Sequence, residues 1–278
     1  MKTALITGAT DGIGKALALR LAQDGYSLHI IGRNEERGVA AINSLNKIAP
    51  QGHHQFFAVD LASIAANKAF LAEYKQTYKQ LDLLILNANA VSKKLSLSAD
   101  GVETTFAVGF VSRYLFSIAL EPLLTAATKD SRVVHIGDAR AAKKLNPEPI
   151  FCNNYGIAKA TLHSYSADSV LAYGINTFGH SNIPHEVYMP GMVRTKQLDV
   201  YGSLIGTISR WFAKEPETVA DIFATHLKNT RAKDAWASYF NEGKKGKMGK
   251  TVTNEQEWQK VIGVAQRITG VCLNANTW

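Results

Sequence analysis

The sequence predicts an α/β protein built as one doubly wound parallel sheet. Three observations carry this. Short apolar runs alternate with longer stretches of helical periodicity, and a glycine-rich turn directly follows the first run. A length of 278 residues, 46% hydrophobic and 19% charged, also supports one large core. Buried strands joined by helical crossovers must run parallel, with helices covering both faces.

Taken in order, Ala4 to Ile6 is a strand because its apolar run breaks at Thr7-Gly8, and Ile13 to Asp24 is a helix stopped by Gly25. Ser27 to Ile31 forms the next strand, and Glu35 to Ile48 a helix that ends before Pro50. Gln55 to Val59 and Leu83 to Leu86 are strands flanking a helix from about Ile64 to Tyr78. Val102 to Ala127 reads as one long helix, Arg132 to Ile136 as a strand and Tyr155 to Tyr173 as a helix. Glu186 to Met189 is a sixth strand, running into Pro190-Gly191. In such a sheet, ligands sit at the carboxyl ends of the strands.

Composition narrows the function classes. The net charge of +8 is spread along the chain, and its one dense run, Lys244 to Lys250, is broken by glycines and lacks aromatics. That is the pattern of a solvated loop, so no nucleic acid is expected. No membrane span or leader is expected either, which points to a cytoplasmic protein. Cys152 and Cys272 are the two cysteines, read as free thiols in a reducing compartment. His180, His185 and Glu186 match no helical zinc spacing, and His53-His54 reads as a loop pair, so no metal is expected.

The first turn reads Gly8-Ala9-Thr10-Asp11-Gly12-Ile13-Gly14. Gly8 permits the bend, Gly12 lets the backbone approach a diphosphate and Gly14 lets the helix pack on the strand, so the helix amides face the phosphates. After the second strand come Arg33 and Asn34, with no carboxylate to accept from a ribose 2′-hydroxyl. Arg33 suits a 2′-phosphate, which favours NADP(H) over NAD.

These residues resemble the short-chain dehydrogenase/reductase family along nearly the whole chain. The turn has the family's Thr-Gly-x-x-x-Gly-x-Gly form, Asp60-Leu61 looks like the pair that holds adenine, and Asn87-Ala88 belongs to a turn similar to Asn-Asn-Ala-Gly. Tyr155 and Lys159 match Tyr-x-x-x-Lys, and Pro190-Gly191-Met192-Val193-Arg194-Thr195 resembles the segment that caps the nicotinamide amide. Gly101 to Val108 and Ser238-Tyr239-Phe240 look most like the retinol-dehydrogenase and protochlorophyllide-reductase branch. The resemblance implies a single Rossmann domain over 1–278 with a substrate lid at about 196–215.

On a helix, Lys159 would share a face with Tyr155. A free tyrosine titrates near ~10, and a neighbouring ammonium lowers that by stabilising the phenolate. Tyr155 would then exchange a proton with a carbonyl oxygen as hydride moves at its carbon, and Lys159 would also hold the nicotinamide ribose, so both residues are expected to bind the cofactor as well. Two positions depart from the family. Asp138 stands where the resemblance places a serine, and Gly109 where it places an asparagine that supports a water in the proton relay. An ionised aspartate accepts but does not donate, and it repels a developing alkoxide. Donation at pH 7 would need its pKa carried from ~3.9 to about 7, roughly 4 kcal/mol of environmental bias. Asp138 is therefore open to three readings: a protonated donor, an acceptor of a substrate hydroxyl, ammonium or guanidinium, or a turn residue.

Lys93-Lys94, Arg140 and Lys143-Lys144 fall near the expected substrate mouth, as groups for a carboxylate or phosphate or as solvated loop charges. Leu198, Tyr201, Leu204, Ile205, Ile208, Trp211 and Phe212 suit a lid over a bulky, partly apolar substrate, or a peripheral helix. The resulting expectation is an NADP(H)-dependent oxidoreductase interconverting a carbonyl and an alcohol on a small molecule. Tyr155, Lys159 and Asp138 form its atypical site, and the assembly is a homodimer or homotetramer. The alternatives are a degenerate member that binds nucleotide or a protein partner without turnover, and a non-redox dehydratase or isomerase on the same fold.

Overall fold

The computed structural model describes residues 1–140, 155–179, 181–195 and 213–273. Lys143, Lys144, Cys152, His180 and the lid residues 196–212 lie outside these. The chain runs through β1 (Lys2–Thr7), α1 (Gly12–Gln23), β2 (Tyr26–Gly32), α2 (Glu35–Ile48), β3 (Gln55–Ala58), α3 (Ile64–Thr77) and β4 (Leu83–Leu86). It continues through α4 (Thr104–Phe106), a π-helical turn (Ala107–Val111), α5 (Ser112–Ala119), α6 (Glu121–Ala126), β5 (Arg132–Ile136), α7 (Ile157–Thr177) and β6 (His185–Met189). The last described elements are α8 (Pro216–Asn229), β7 (Ser238–Asn241), β8 (Lys244–Lys245) and α9 (Glu255–Thr269).

These strands form one sheet of order β3-β2-β1-β4-β5-β6-β7-β8. All pairs are parallel except β7 with β8, which is antiparallel. Alternation along each strand divides the core. Leu5, Leu84, Leu86 and Val133 face α3, α5, α7 and α9, whereas Ala4, Ile6, Ile30, Ile85 and Val134 face α1, α2 and α8. The order reverses between β1 and β4, the crevice where a doubly wound sheet receives its ligand.

Two expectations are corrected. The long helix from Val102 to Ala127 is broken twice. Gly109 lies in the π-turn, where Ser112 Oγ also donates to the carbonyl of Val108 at 2.7 Å. Pro122 then opens α6 in a position where the missing N–H costs no helical bond. Tyr155 is also not helical. Gly156 caps α7 with an extended backbone, φ −156° and ψ 134°, so Tyr155 precedes the helix and the i to i+4 face argument fails.

The histidines near β6 have structural partners. His135 bridges Asp168 at 2.7 Å and His185 at 3.0 Å, while His226 contacts Glu186 at 3.1 Å. Likewise, His54 accepts from the Leu28 amide at 3.1 Å. The connection after α7 is stapled by Asn176, which donates to Ile183 at 2.7 Å and accepts from His185 at 2.7 Å.

Burial holds His29 down at about 4, with His54 adding to the effect, and burial beside His135 also lowers His185. Both histidines stay neutral when folded but protonate in the unfolded chain below pH ~6.5, so stability is complete above that value and falls as the pH drops. His29 alone is expected to cost about 2 kcal/mol at pH 5. Urea midpoints at pH 7 and pH 5 check this, with a smaller loss expected in His29→Gln.

Candidate active site

A cleft of about 730 Å³ opens at the carboxyl ends of β1, β2 and β4. Its floor is the glycine turn. Gly8 and Gly12 have φ of +68° and +54°, a region that suits glycine. A Cβ on Gly14 would lie 2.2 Å from the Gly8 carbonyl oxygen and 2.5 Å from Asn87 Nδ2, so only glycine brings α1 this close. Asp11 caps α1, accepting from the Gly12 amide at 2.8 Å. The turn leaves the positive end of α1 facing the cleft.

The β2 side of the cleft is basic. Arg33 lines it, and so does Arg37 from the first turn of α2. Asn34 does not line the cleft, but its side chain caps α2 by accepting from the Arg37 amide at 2.8 Å. Arg37 also lies 3.6 Å from Asp11, tempering a carboxylate at the helix mouth. Asp60 and Leu61 border this end, with Asp60 accepting from the Ala62 amide at 3.1 Å.

The turn after β4 forms the opposite wall. Asn87 Nδ2 donates to the carbonyls of Thr7 and Gly8 at 3.0 and 3.1 Å, and Thr7 Oγ1 accepts from the amides of Asn87 and Ala88, both at 3.0 Å. Beneath it lies buried Arg113, which donates to the Ala88 and Ile136 carbonyls at 3.0 Å each and is paired with Asp168. One cation thus joins the ends of β4 and β5. Thr195 completes the cleft, with Cγ2 3.3 Å from where a Cβ of Gly12 would be.

The residues expected to do chemistry are not in the lining of this cleft. Tyr155 is half-buried and its hydroxyl donates to the Ser92 carbonyl at 2.9 Å. Lys159 is exposed in the first turn of α7. Asp138 follows β5, and Arg140 engages it through Nε and Nη2, each at 3.0 Å, and through its amide at 3.0 Å. Tyr239 adds a longer donation at 3.4 Å. Burial raises the Asp138 pKa, but these hydrogen bonds with Arg140 outweigh it and leave the carboxyl below its usual range. Burial, then the Asp138 charge, pushes Tyr239 up to about 12. Asp138 is therefore an ionised acceptor of its own chain's guanidinium, the opposite of a protonated donor.

Pro190, Gly191 and Val193 also lie outside the lining. Gly191 turns the chain after β6 with φ +78°, and Val193 bridges to Lys214. Arg37 and Asn89 line the cleft without having been singled out as binding residues. Arg37 had a readable signal, because the first turn of a helix following a strand returns to that strand's carboxyl end.

Among the described residues, no helix is long and apolar enough to cross a membrane, and no group of three or more metal-ligating side chains could hold a metal.

Residues 2–201 match the family model described as short chain dehydrogenase. A polyprenol dehydrogenase from Mus musculus is 32% identical over 141 residues, covering 50% of this chain and 42% of that protein. A WW domain-containing oxidoreductase from Drosophila melanogaster is 36% identical over 130 residues, covering 46% and 32%. The matches thus span less than half the length of these relatives. A solved short-chain dehydrogenase/reductase variant from Serratia marcescens superposes with a TM-score of 0.65 at 21% identity, covering 86% of this chain and 95% of that one. That likeness shows the fold. A glycine cradle on a doubly wound sheet and the match over 2–201 together establish that this chain belongs to the short-chain dehydrogenase family of oxidoreductases.

Proposed function

We propose that the protein is an NADP(H)-dependent oxidoreductase that interconverts a carbonyl and an alcohol on a small molecule. The observation that carries this reading is the cleft itself, whose glycine cradle leads to Arg33 and Arg37 at the end of β2. Its volume falls in the range of small-molecule and cofactor sites. The cradle suits a diphosphate because Gly12, Ile13 and Gly14, at the positive start of α1, line the cleft, and a Cβ on Gly14 would meet the Gly8 carbonyl, so glycine there lets the helix start close against the turn. The paired arginines fit a 2′-phosphate by charge and by their planar donor forks.

The bound cofactor would supply or accept the hydride. Tyr155 would move the proton, with a substrate carbonyl taking the place of the Ser92 carbonyl as acceptor of its O–H. Lys159, in the first turn of α7, would favour the phenolate electrostatically. Asp138 would act by holding Arg140 at the substrate mouth, which suits a substrate carrying a negative or polar group. The Asp138–Arg140 pair also favours the second reading, a degenerate member that binds nucleotide without turnover, because it replaces a donating hydroxyl.

Fluorescence titration with NADPH and NADH separates the cofactors. Tight NADPH and weak NADH binding is the expected result. Binding of neither would end the cofactor reading. In Arg33→Ala/Arg37→Ala, NADPH affinity is expected to fall about 10- to 100-fold while NADH changes little. With a carbonyl panel, Tyr155→Phe should keep NADPH binding and lose at least ~100-fold in turnover. Equal turnover in wild type and Tyr155→Phe would remove the phenol from the chemistry.

A further inference from the structure

The ion pair with Asp138 fixes Arg140 without covering it. Nε and Nη2 face the carboxylate, and Nη2 also reaches Met189 Sδ at 2.9 Å. Nη1 has no hydrogen-bond partner among the described residues, and the side chain is 48% exposed, so this edge of the fork is open to a ligand. Tyr239 steadies Asp138 from β7. A guanidinium already held in one direction loses little freedom when its remaining donors meet an anion.

The dense lysine run, expected to be a solvated loop, is tied to the same place. The Gly246 amide donates to the Tyr239 carbonyl at 2.9 Å and the Gly249 amide to the Ala139 carbonyl at 2.8 Å. Val252 is buried against Ala139 and Tyr239, and Met248 packs on this cluster. A Cβ on Gly249 would lie 2.8 Å from the Arg140 carbonyl oxygen, so glycine there lets the loop lie directly on this segment. Lys247 and Lys250 stand next to these anchors, both exposed and neither in an ion pair among the described residues. Asp138 offsets one of the three cations so gathered, and the other two charges remain for a ligand.

The sheet order decides which part of the site this rim faces. Arg33 and Arg37 line the cleft beyond β2, and β1 and β4 separate them from β5, which Asp138 and Arg140 follow. Tyr155 reaches the segment after β4 through the Ser92 carbonyl. A substrate whose carbonyl meets Tyr155 therefore lies toward β4 and β5, away from the arginines of β2. We propose that Arg140, with Lys247 and Lys250, binds a carboxylate or phosphate group on the substrate, so that the substrate class is an anionic carbonyl compound or its alcohol. This inference rests on the oxidoreductase reading and adds to it the charge of the substrate and the residues that select it.

The test uses two probes that differ by one carboxylate, 4-carboxybenzaldehyde and benzaldehyde. Each is read by calorimetric binding, with and without NADP+, and by NADPH consumption. Wild type is expected to prefer 4-carboxybenzaldehyde about 10-fold or more, and less so as NaCl rises. Arg140→Gln is expected to remove most of that preference, and Lys247→Gln/Lys250→Gln to reduce it about 3-fold with a shallower salt dependence. Damage to the fold weakens both probes together, so the ratio between them decides. The exposed lysine variant carries the same comparison should Arg140→Gln not fold. Stronger displacement of 4-carboxybenzaldehyde by phenyl phosphate than by benzoate would assign the group as phosphate, and the reverse as carboxylate. Equal affinity of wild type for the two probes, binding of neither, or an unchanged ratio in both variants would overturn the proposal. Selective binding of the carboxylate probe without NADPH consumption would support the anion site and count against the oxidoreductase reading, whereas equal consumption of both probes would keep that reading and remove the site.

Discussion

Asp168→Ala is expected to destabilise the protein by about 3–5 kcal/mol, one of the largest single-site effects in the chain. Asp168 is fully buried on α7 and pairs with Arg113 of α5, itself 1% exposed. Its other oxygen lies 2.7 Å from His135 Nδ1. Removing the carboxylate strands a guanidinium in the core with the Ala88 and Ile136 carbonyls as its remaining partners among the described residues. Urea unfolding should show a lower midpoint with little change in slope. Replacing both partners, as in Arg113→Met/Asp168→Leu, should recover much of the loss because two buried charges disappear together. A single variant as stable as wild type would show that the pair is not held in the core as described.

Gly14→Ala is expected to lose about 2–4 kcal/mol, spread between stability and cofactor affinity. The new methyl would occupy the space of the Gly8 carbonyl and the Asn87 amide, both fixed by hydrogen bonds. Alanine's better helix propensity recovers at most about 1 kcal/mol of that. Either α1 moves outward or the turn deforms, and each widens the phosphate cradle. Thermal melting and NADPH titration of the same variant divide the loss between folding and binding. Gly25→Ala is the control. Its φ is +86° but nothing lies within 4 Å of its Cβ position, so it should cost only about 1–2 kcal/mol and leave NADPH binding intact.

Periodicity located the elements that bury a regular face. α2, β4 and β5 lie within Glu35–Ile48, Leu83–Leu86 and Arg132–Ile136, as their patterns imply. It failed where a local backbone choice overrode the pattern. Apolar residues continue through Gly109 and Pro122, so the hydrophobic signal crosses breaks that the backbone makes. Tyr155 continues the pattern of α7 too, but Gly156 caps the helix in an extended conformation and α7 starts only at Ile157. α8 and α9 are not among the elements expected from the sequence, although Pro216 and Asn254 are ordinary helix starts.

The site was legible in the same uneven way. The glycine turn carries its reason in its own spacing, so Gly8, Gly12 and Gly14 were readable, as was Arg33 from its place after a strand. The state of Asp138 was not, because its charge depends on Arg140 folding back two residues later.

The lacing of β1 to β4 by Thr7 and Asn87 bears on the thermodynamics of ligand capture. Four hydrogen bonds hold the turn's carbonyls and the neighbouring amides, all supplied by the protein itself. The cradle is therefore preorganised, and a dinucleotide need not order a loose loop as it arrives. Binding should resemble docking onto a rigid surface, with a heat-capacity change set by the area covered rather than by coupled folding. Asn87→Ala would turn that rigid receptor into one that must be organised by its ligand, and a more unfavourable binding entropy would record the difference.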